Sequence, residues 1–302
     1  MPAAWGGSDG ASTGAGHALT VDVEEWFQVS AYAGVIEPWA WEGLESRVVP
    51  ATEAVLALLE RHGARGTFFV LGWVAQRHPE LVRRIQRLGH EVASHGWSHV
   101  RATQQSPAEF LEDVTRTRLL LESLIGTPVT GYRATSFSMG AHTPWAYMAL
   151  SQAGYRYSSS VYPIRHDHHG DPRAPLLPHH PVMGGVVELP VAALPLGPWR
   201  LPCGGGGYFR LYPAVVSRWA WRRLEAAGRR GVFYLHPWEL DPGQPRVRGA
   251  SWRSRWRHGL NLERMAQRLE TMLQRFHWQR MDRVFAPELT LGGADPGCGT
   301  RT

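Results

Sequence analysis

The sequence contains no lysine: every one of its 32 basic side chains, in 302 residues, is arginine. Without lysine there is no Schiff-base amine, no lysine general base and no phosphate-loop cation, which excludes several enzyme classes. A Gly-x-Ser-x-Gly elbow is also missing, and the glycines at 204 to 207 are not followed by the residues a phosphate loop requires. Serine-triad hydrolysis and phosphoryl transfer therefore lack their apparatus. Cysteine is confined to Cys203 and Cys298, too few for a multi-bridge framework and not spaced as metal ligands, so a reducing compartment is allowed. No run approaches the ~20 apolar residues of a membrane span. Residues 1–16 are rich in Gly, Ala and Ser, hold no Lys or Arg and lack the apolar core of a signal peptide. The expectation is a cytoplasmic protein, with peripheral membrane association allowed.

What is present suits one large α/β domain: 43% hydrophobic residues can bury a substantial core. The net charge of +6 favours anionic partners, but the basic residues are dispersed apart from Arg246, Arg248, Arg253, Arg255 and Arg257, which alternate with Trp252 and Trp256. That run could bind phosphate, an acidic glycan or nucleic acid; a solvated linker is the simpler reading, and no nucleic-acid partner is expected.

The chain is organised around Thr20-Val-Asp-Val-Glu-Glu-Trp26, an apolar run ending in three carboxylates. Ala18, Leu19 and Val21 read as a buried strand, with Asp22 and Glu24 on one face of its C-terminal end. Two converging carboxylates call for a cation between them, or for one held protonated. Downstream, helix 50–63 opens on proline and closes on glycine. Strand 66–71, helix 79–88, strand 91–93, a helix from Ser106 to about residue 125 with Glu109 completing a capping box, strand 129–132 and helix 144–153 follow in turn. Strand then helix, repeated, is the pattern of a parallel sheet with crossover helices, and the polar strand ends favour a distorted (β/α) barrel. Residues 161–207 break the regularity with nine prolines and five histidines, His166, His168, His169, His179 and His180, and read as a loop-rich insertion walling a substrate groove. A helix at 213–227, a strand at 231–236 and a helix at 261–276 complete the barrel, placed at 18–286. Residues 1–17 are expected to be flexible and 287–302 disordered.

His95 and His99, four apart just after a strand, can turn both imidazoles toward one point. Parallel barrels gather their strand ends on one face, where two His and a carboxylate would suit catalytic zinc or a similar divalent ion. The order of Thr20-Val-Asp-Val-Glu, Ser94-His-x-x-x-His99, Arg133 at a strand end and Tyr234-Leu-His236 resembles the polysaccharide deacetylase family (carbohydrate esterase family 4, the NodB-homology domain) over about residues 18–240. Asp22-Val-Glu-Glu-Trp-Phe-Gln-Val, Ser159-Ser-Val-Tyr-Pro-Ile-Arg-His and Phe233-Tyr-Leu-His-Pro-Trp-Glu resemble its exosortase- and exopolysaccharide-associated branch.

The resemblance implies a metal-dependent N-deacetylase of exopolysaccharide amino sugars or of a lipid-linked oligosaccharide precursor. It implies Asp22 as general base, His95 and His99 as metal ligands with Glu24 or, failing it, Glu25, Arg133 as the partner that tunes the base, and His236 as general acid. Family members carry an Asp near Ser158 that supports the acid; three serines stand there, leaving the support of His236 unassigned. A backbone N–H near Ser136 is expected to meet the oxyanion. Trp97, Phe137 and Trp238 flank the motifs as candidates for stacking on sugars, with core packing equally open to them. The rival readings are an amidohydrolase of small non-sugar amides, a non-catalytic glycan-binding module and, last, a nucleic-acid binder.

Overall fold

The computed structural model describes residues 16–165, 170–183 and 185–291. Cys298, His166, His168 and His169 lie outside the described residues, as does most of each expected flexible end. Strand β1 (His17–Val23) is buried at every position, because its apolar side chains face layers on both sides. It is the centre of the sheet. β2 (Thr67–Val70), β3 (Glu91–Ser94), β4 (Gly131–Tyr132), β5 (Tyr157–Ser158) and β6 (Val187–Glu188) follow it in spatial order, each parallel to the last. β7 (Ala193–Leu196) and β8 (Trp199–Pro202) form a separate antiparallel hairpin within the loop-rich stretch. β9 (Val232–Leu235) lies along the other edge of β1, and β10 (Trp278–Gln279) pairs with the first residues of β1.

Among the described residues no regular strand joins β6 to β9. Irregular backbone bridges the gap instead: the Ala192 N–H donates to the Val232 carbonyl at 3.0 Å, and the Tyr234 N–H to the Gly204 carbonyl at 2.7 Å. Any Cβ on Gly204 would come within 2.6 Å of the Val232 carbonyl oxygen, so glycine is what admits this approach. The result is the expected barrel, curled and distorted, with part of residues 161–207 as its closing seam.

Helices α1 (Val48–Arg61), α2 (Gly72–Arg77), α3 (Pro79–Arg87), α4 (Pro107–Ile125) and α5 (Pro144–Gln152) connect the first strands. The capping box is formed: Ser106 Oγ accepts the Glu109 N–H, and Glu109 Oε2 accepts the Ser106 N–H. Further on come α6 (Gly206–Leu211), α7 (Ala214–Ala226), α8 (Trp252–Gly259), α9 (Leu262–Arg275), α10 (Met281–Val284) and α11 (Ala286–Leu291). Two expectations are corrected here. The Arg-rich run is not a bare linker, since α8 occupies its part from Trp252 onward, capped by Ser251, whose Oγ accepts the Ser254 N–H. Residues 286–291 are helical because Arg230 pairs with Glu288 and Arg156 donates to the Leu289 carbonyl, partners no local reading could supply.

Candidate active site

Register places the chemistry. Val23, Val70, Ser94, Tyr132, Ser158 and Glu188 form one row across β1 to β6, so the next residues along, Glu24, His95, Arg133 and Ser159, emerge side by side at the C-terminal rim. On the other edge Val21 pairs with Leu235, which brings His236 level with Asp22. Four strand ends thus deliver five of the residues singled out above.

Glu24, His95 and His99 offer ligand atoms within 4.8 Å of one another, the sole such group of at least three His, Cys, Asp or Glu among the described residues. His95 is buried, and its Nδ1–H donates to the Arg133 carbonyl at 2.8 Å, which leaves Nε2 with its lone pair free for a cation. Burial, against the pull of Asp22, lowers its pKa to about 4, so the ring is neutral, as a ligand must be. His99 Nε2 lies 2.8 Å from Glu24 Oε2, yet that oxygen is buried without an aligned hydrogen bond. Two atoms so close and so poorly aligned suit convergence on a third point. His99 reaches there through a left-handed backbone, φ +56°, which a non-glycine residue adopts at a cost of ~1–3 kcal/mol.

Burial pushes the Glu24 carboxyl up in pKa, but His99, His236 and His95 outweigh it and hold the group at about 2. An anionic carboxylate with an orphan oxygen, grouped within 4.8 Å with the neutral His95 ring, fits a divalent cation. Glu25 does not join this group. It points to the opposite side, where Ser46 Oγ donates to one oxygen and the Arg47 N–H to the other at 3.0 Å, just before α1. As the alternative ligand it is thereby removed, because the strand period turns it away.

Asp22 is pinned by Arg133, whose Nη1–H donates to Asp22 Oδ1 at 2.7 Å. The guanidinium, fully buried, also donates to Thr20 Oγ1, the Ser159 carbonyl and Ser159 Oγ, and its carbon lies 4.2 Å from the centre of the Phe69 ring. Ser160 Oγ accepts the Ala134 N–H at 2.8 Å. The serines at 159 and 160 therefore fix the arginine and the loop that follows it. That loop holds Ser136 and Phe137 at φ +53° and +48°, and Ser136 Oγ hydrogen bonds Ser30 Oγ.

His236 Nε2 stands 3.6 Å from Glu24 Oε1. Its support is the glutamate that ends the Phe233-Tyr-Leu-His-Pro-Trp-Glu motif. Glu239 Oε1 accepts both the His236 Nδ1–H at 2.9 Å and the His236 backbone N–H at 3.1 Å, while Glu239 Oε2 accepts the Arg210 Nε–H at 2.7 Å. The signal was the three-residue spacing in His236-Pro-Trp-Glu239, a turn that returns the carboxylate onto its own histidine. Burial alone would lower the His236 pKa; Glu24 and Glu239 reverse this and raise it to about 9. Its side chain remains 20% exposed, the most open of these groups.

The aromatic candidates divide. Trp238 is buried, its Nε1–H donating to Glu24 Oε1 at 3.1 Å and its ring stacked between His236 and His258, at 4.9 and 4.1 Å. Phe137 packs against Tyr162 and Tyr234. Both rings lie behind the site rather than on its open side, since each fills a packed aromatic cluster. Trp97 is half-buried, with Arg116 3.4 Å above its ring and its N–H held by Asp113.

Residues 44–158 match the family model described as polysaccharide deacetylase, and residues 159–286 match a domain of unknown function, DUF3473. Over 77 residues the chain is 40% identical to the peptidoglycan-N-acetylglucosamine deacetylase PgdA of Listeria monocytogenes serotype 1/2a (strain 10403S), a match of 26% of this chain and 16% of the relative. Over 63 residues it is 41% identical to the chitooligosaccharide deacetylase of Bradyrhizobium sp. (strain ANU 289), covering 21% of this chain and 29% of that one. The chain thus spans less than a third of either relative. Among solved structures, a protein of Mycobacterium smegmatis provisionally named a polysaccharide deacetylase aligns over 94% of this chain and 93% of its own, with a TM-score of 0.57 and 21% identity, a likeness of fold. Residues 44–158 thus match the polysaccharide deacetylase family, and across nearly its whole length the chain shares the fold of a solved structure that carries that name.

Proposed function

We propose that this chain is a metal-dependent hydrolase that removes N-acetyl groups from amino sugars of an exopolysaccharide or of its lipid-linked precursor. The observation that carries the reading is the convergence of Glu24, His95 and His99 between Asp22, held by Arg133, and His236, held by Glu239. Zinc is the expected ion, given two imidazoles and one carboxylate with room for further ligands. When bound, such a cation makes water a usable nucleophile near neutral pH and polarises the amide carbonyl.

The protein's own groups do the rest. Asp22 accepts the proton of the attacking water, and the hydrogen bond from the Arg133 guanidinium keeps it aimed. A backbone N–H of the left-handed turn at Ser136 meets the developing oxyanion. His236 carries a proton on Nε2 toward the departing amine, because Glu239 fixes the proton on Nδ1 and favours the imidazolium. What related enzymes are named for acting on, N-acetylglucosamine in peptidoglycan and chitooligosaccharide, supports an N-acetylated glycan as substrate class.

Acetate release from N-acetylated glycans tests this. Metal-loaded protein should release acetate, lose the activity to a chelator and regain it on reloading. No acetate from any N-acetylated glycan after reloading would overturn the proposal, and release from small non-sugar amides alone would transfer it to the amidohydrolase reading.

A further inference from the structure

Five arginines, Arg246, Arg248, Arg253, Arg255 and Arg257, are exposed on α8 and the segment leading into it. No carboxylate occurs between Asp241 and Glu263 to neutralise them. Arg246, Arg248, Arg253 and Arg255 also have no carboxylate within ion-pair distance among the described residues. Trp252 and Trp256, one helical turn apart and therefore on one side of α8, are 67% and 51% exposed. Arg253 lies over the Trp252 ring, its guanidinium carbon 5.6 Å from the centroid, and two indoles left in water beside these four guanidiniums mark a binding face rather than a solvated helix.

This face is fastened to the reaction site. His258, in the last turn of α8, is buried and stacks on Trp238 at 4.1 Å, and Trp238 in turn holds Glu24. Arg210 donates to the carbonyls of Arg257, His258 and Leu260 while its Nε–H holds Glu239. Trp256 is two residues from His258, and all of α8 is only ~12 Å long at 1.5 Å per residue, a span of a few sugars.

We propose that α8 is a subsite for an anionic glycan, with Trp252 and Trp256 against sugar faces and the arginines on carboxylates or phosphates of the same strand. The inference rests on the deacetylase reading and adds to it that the substrate is a polyanion. Arginine suits the task, since its fork binds a carboxylate in two places. A glycan is favoured over a bilayer because the two indoles cover a single turn flanked by Arg253 and Arg255, and His258 in the next turn is buried, which leaves no extended apolar face to insert. It is favoured over nucleic acid because the helix is bolted to the groups that hold His236 and Glu24.

The test is calorimetric binding to the chelator-treated chain, which keeps the glycan intact. The probes are a hexasaccharide of alternating glucuronate and N-acetylglucosamine, neutral chitohexaose, oligothymidylate and phosphatidylglycerol vesicles. At low salt the acidic hexasaccharide should bind at least about tenfold tighter than chitohexaose. The R253Q/R255Q double substitution should erase that difference, and Trp256→Ala should weaken both glycans. Equal affinity for the two glycans, indifference to R253Q/R255Q, or tighter arginine-dependent binding to oligothymidylate or vesicles would overturn the subsite. These are binding readouts, so failure of the metal-loaded enzyme to release acetate would refute the parent reading separately.

Discussion

Glu239 carries two loads at once, the orientation of His236 and the charge of buried Arg210. Glutamine there keeps the shape, so Glu239→Gln should lower kcat by roughly 10- to 100-fold with little change in KM, because the acid is mispositioned while ligand groups stay in place. Leaving Arg210 without its anion should also cost on the order of 3 kcal/mol in stability. Steady-state kinetics on the folded fraction, with metal content measured alongside, separates the two effects; an unchanged kcat would remove Glu239 from the account. Most of the site was legible at this scale. Asp22, Glu24, His95, His99, Arg133 and His236 sit at strand ends, and strand ends follow from apolar runs that a sequence displays. Glu239 is hidden in the sequence because its partner is fixed by a turn, and the family pattern places the supporting carboxylate near Ser158 instead. The burial of Phe137 and Trp238 was also hidden, since a sequence does not say which side of a motif faces the core.

At the scale of elements, two strands are anchored by buried histidines. His17 Nδ1 accepts the Gly231 N–H at the start of β1, and His90 Nδ1 accepts the Gly66 N–H just before β3, both at 3.1 Å. A lone pair that accepts must be neutral, and burial, aided by His277 beside one ring and Arg65 and Arg280 beside the other, lowers each pKa to about 4 from 6.5. Because the folded value is below the unfolded one, the stabilisation is complete above pH 6.5 and is lost as the unfolded chain takes up protons between about 6.5 and 4. The loss approaches on the order of 3 kcal/mol per ring. Melting temperature should therefore fall across that window, and His90→Gln, which retains an acceptor without the titration, should fall less steeply; identical slopes would contradict the assignment. The elements that sequence did not foresee, among them β10, the β7–β8 hairpin, α2, α6, α8, α10 and α11, are short. Their periodicity is too brief to read, and their existence depends on partners far along the chain.

Across the whole molecule, the two family models meet between Ser158 and Ser159, at the end of β5 and within one continuous sheet. β1, which pairs with β2, β9 and β10, lies outside both matched segments. The site is divided likewise: His95, His99 and Arg133 come from the first segment, His236 and Glu239 from the second, Asp22 and Glu24 from neither. Residues 44–158 alone would expose the edge of β2 that β1 covers, with Thr67 to Val70 all buried in the intact sheet. That fragment should show no cooperative thermal transition by circular dichroism, whereas the full chain should melt in one. A cooperative melt of the fragment would show the first segment to be a domain in its own right.

The central claim is that Glu24, His95 and His99 hold a divalent metal that Asp22 serves without binding. Metal content per chain after reloading and desalting tests it most directly, in wild type, His99→Ala and Asp22→Asn. The account predicts about one equivalent in wild type and in Asp22→Asn, and loss of at least about 90% in His99→Ala, since losing one of three protein ligands removes a large share of the affinity. Wild-type protein without metal, or His99→Ala retaining a full equivalent, would contradict it.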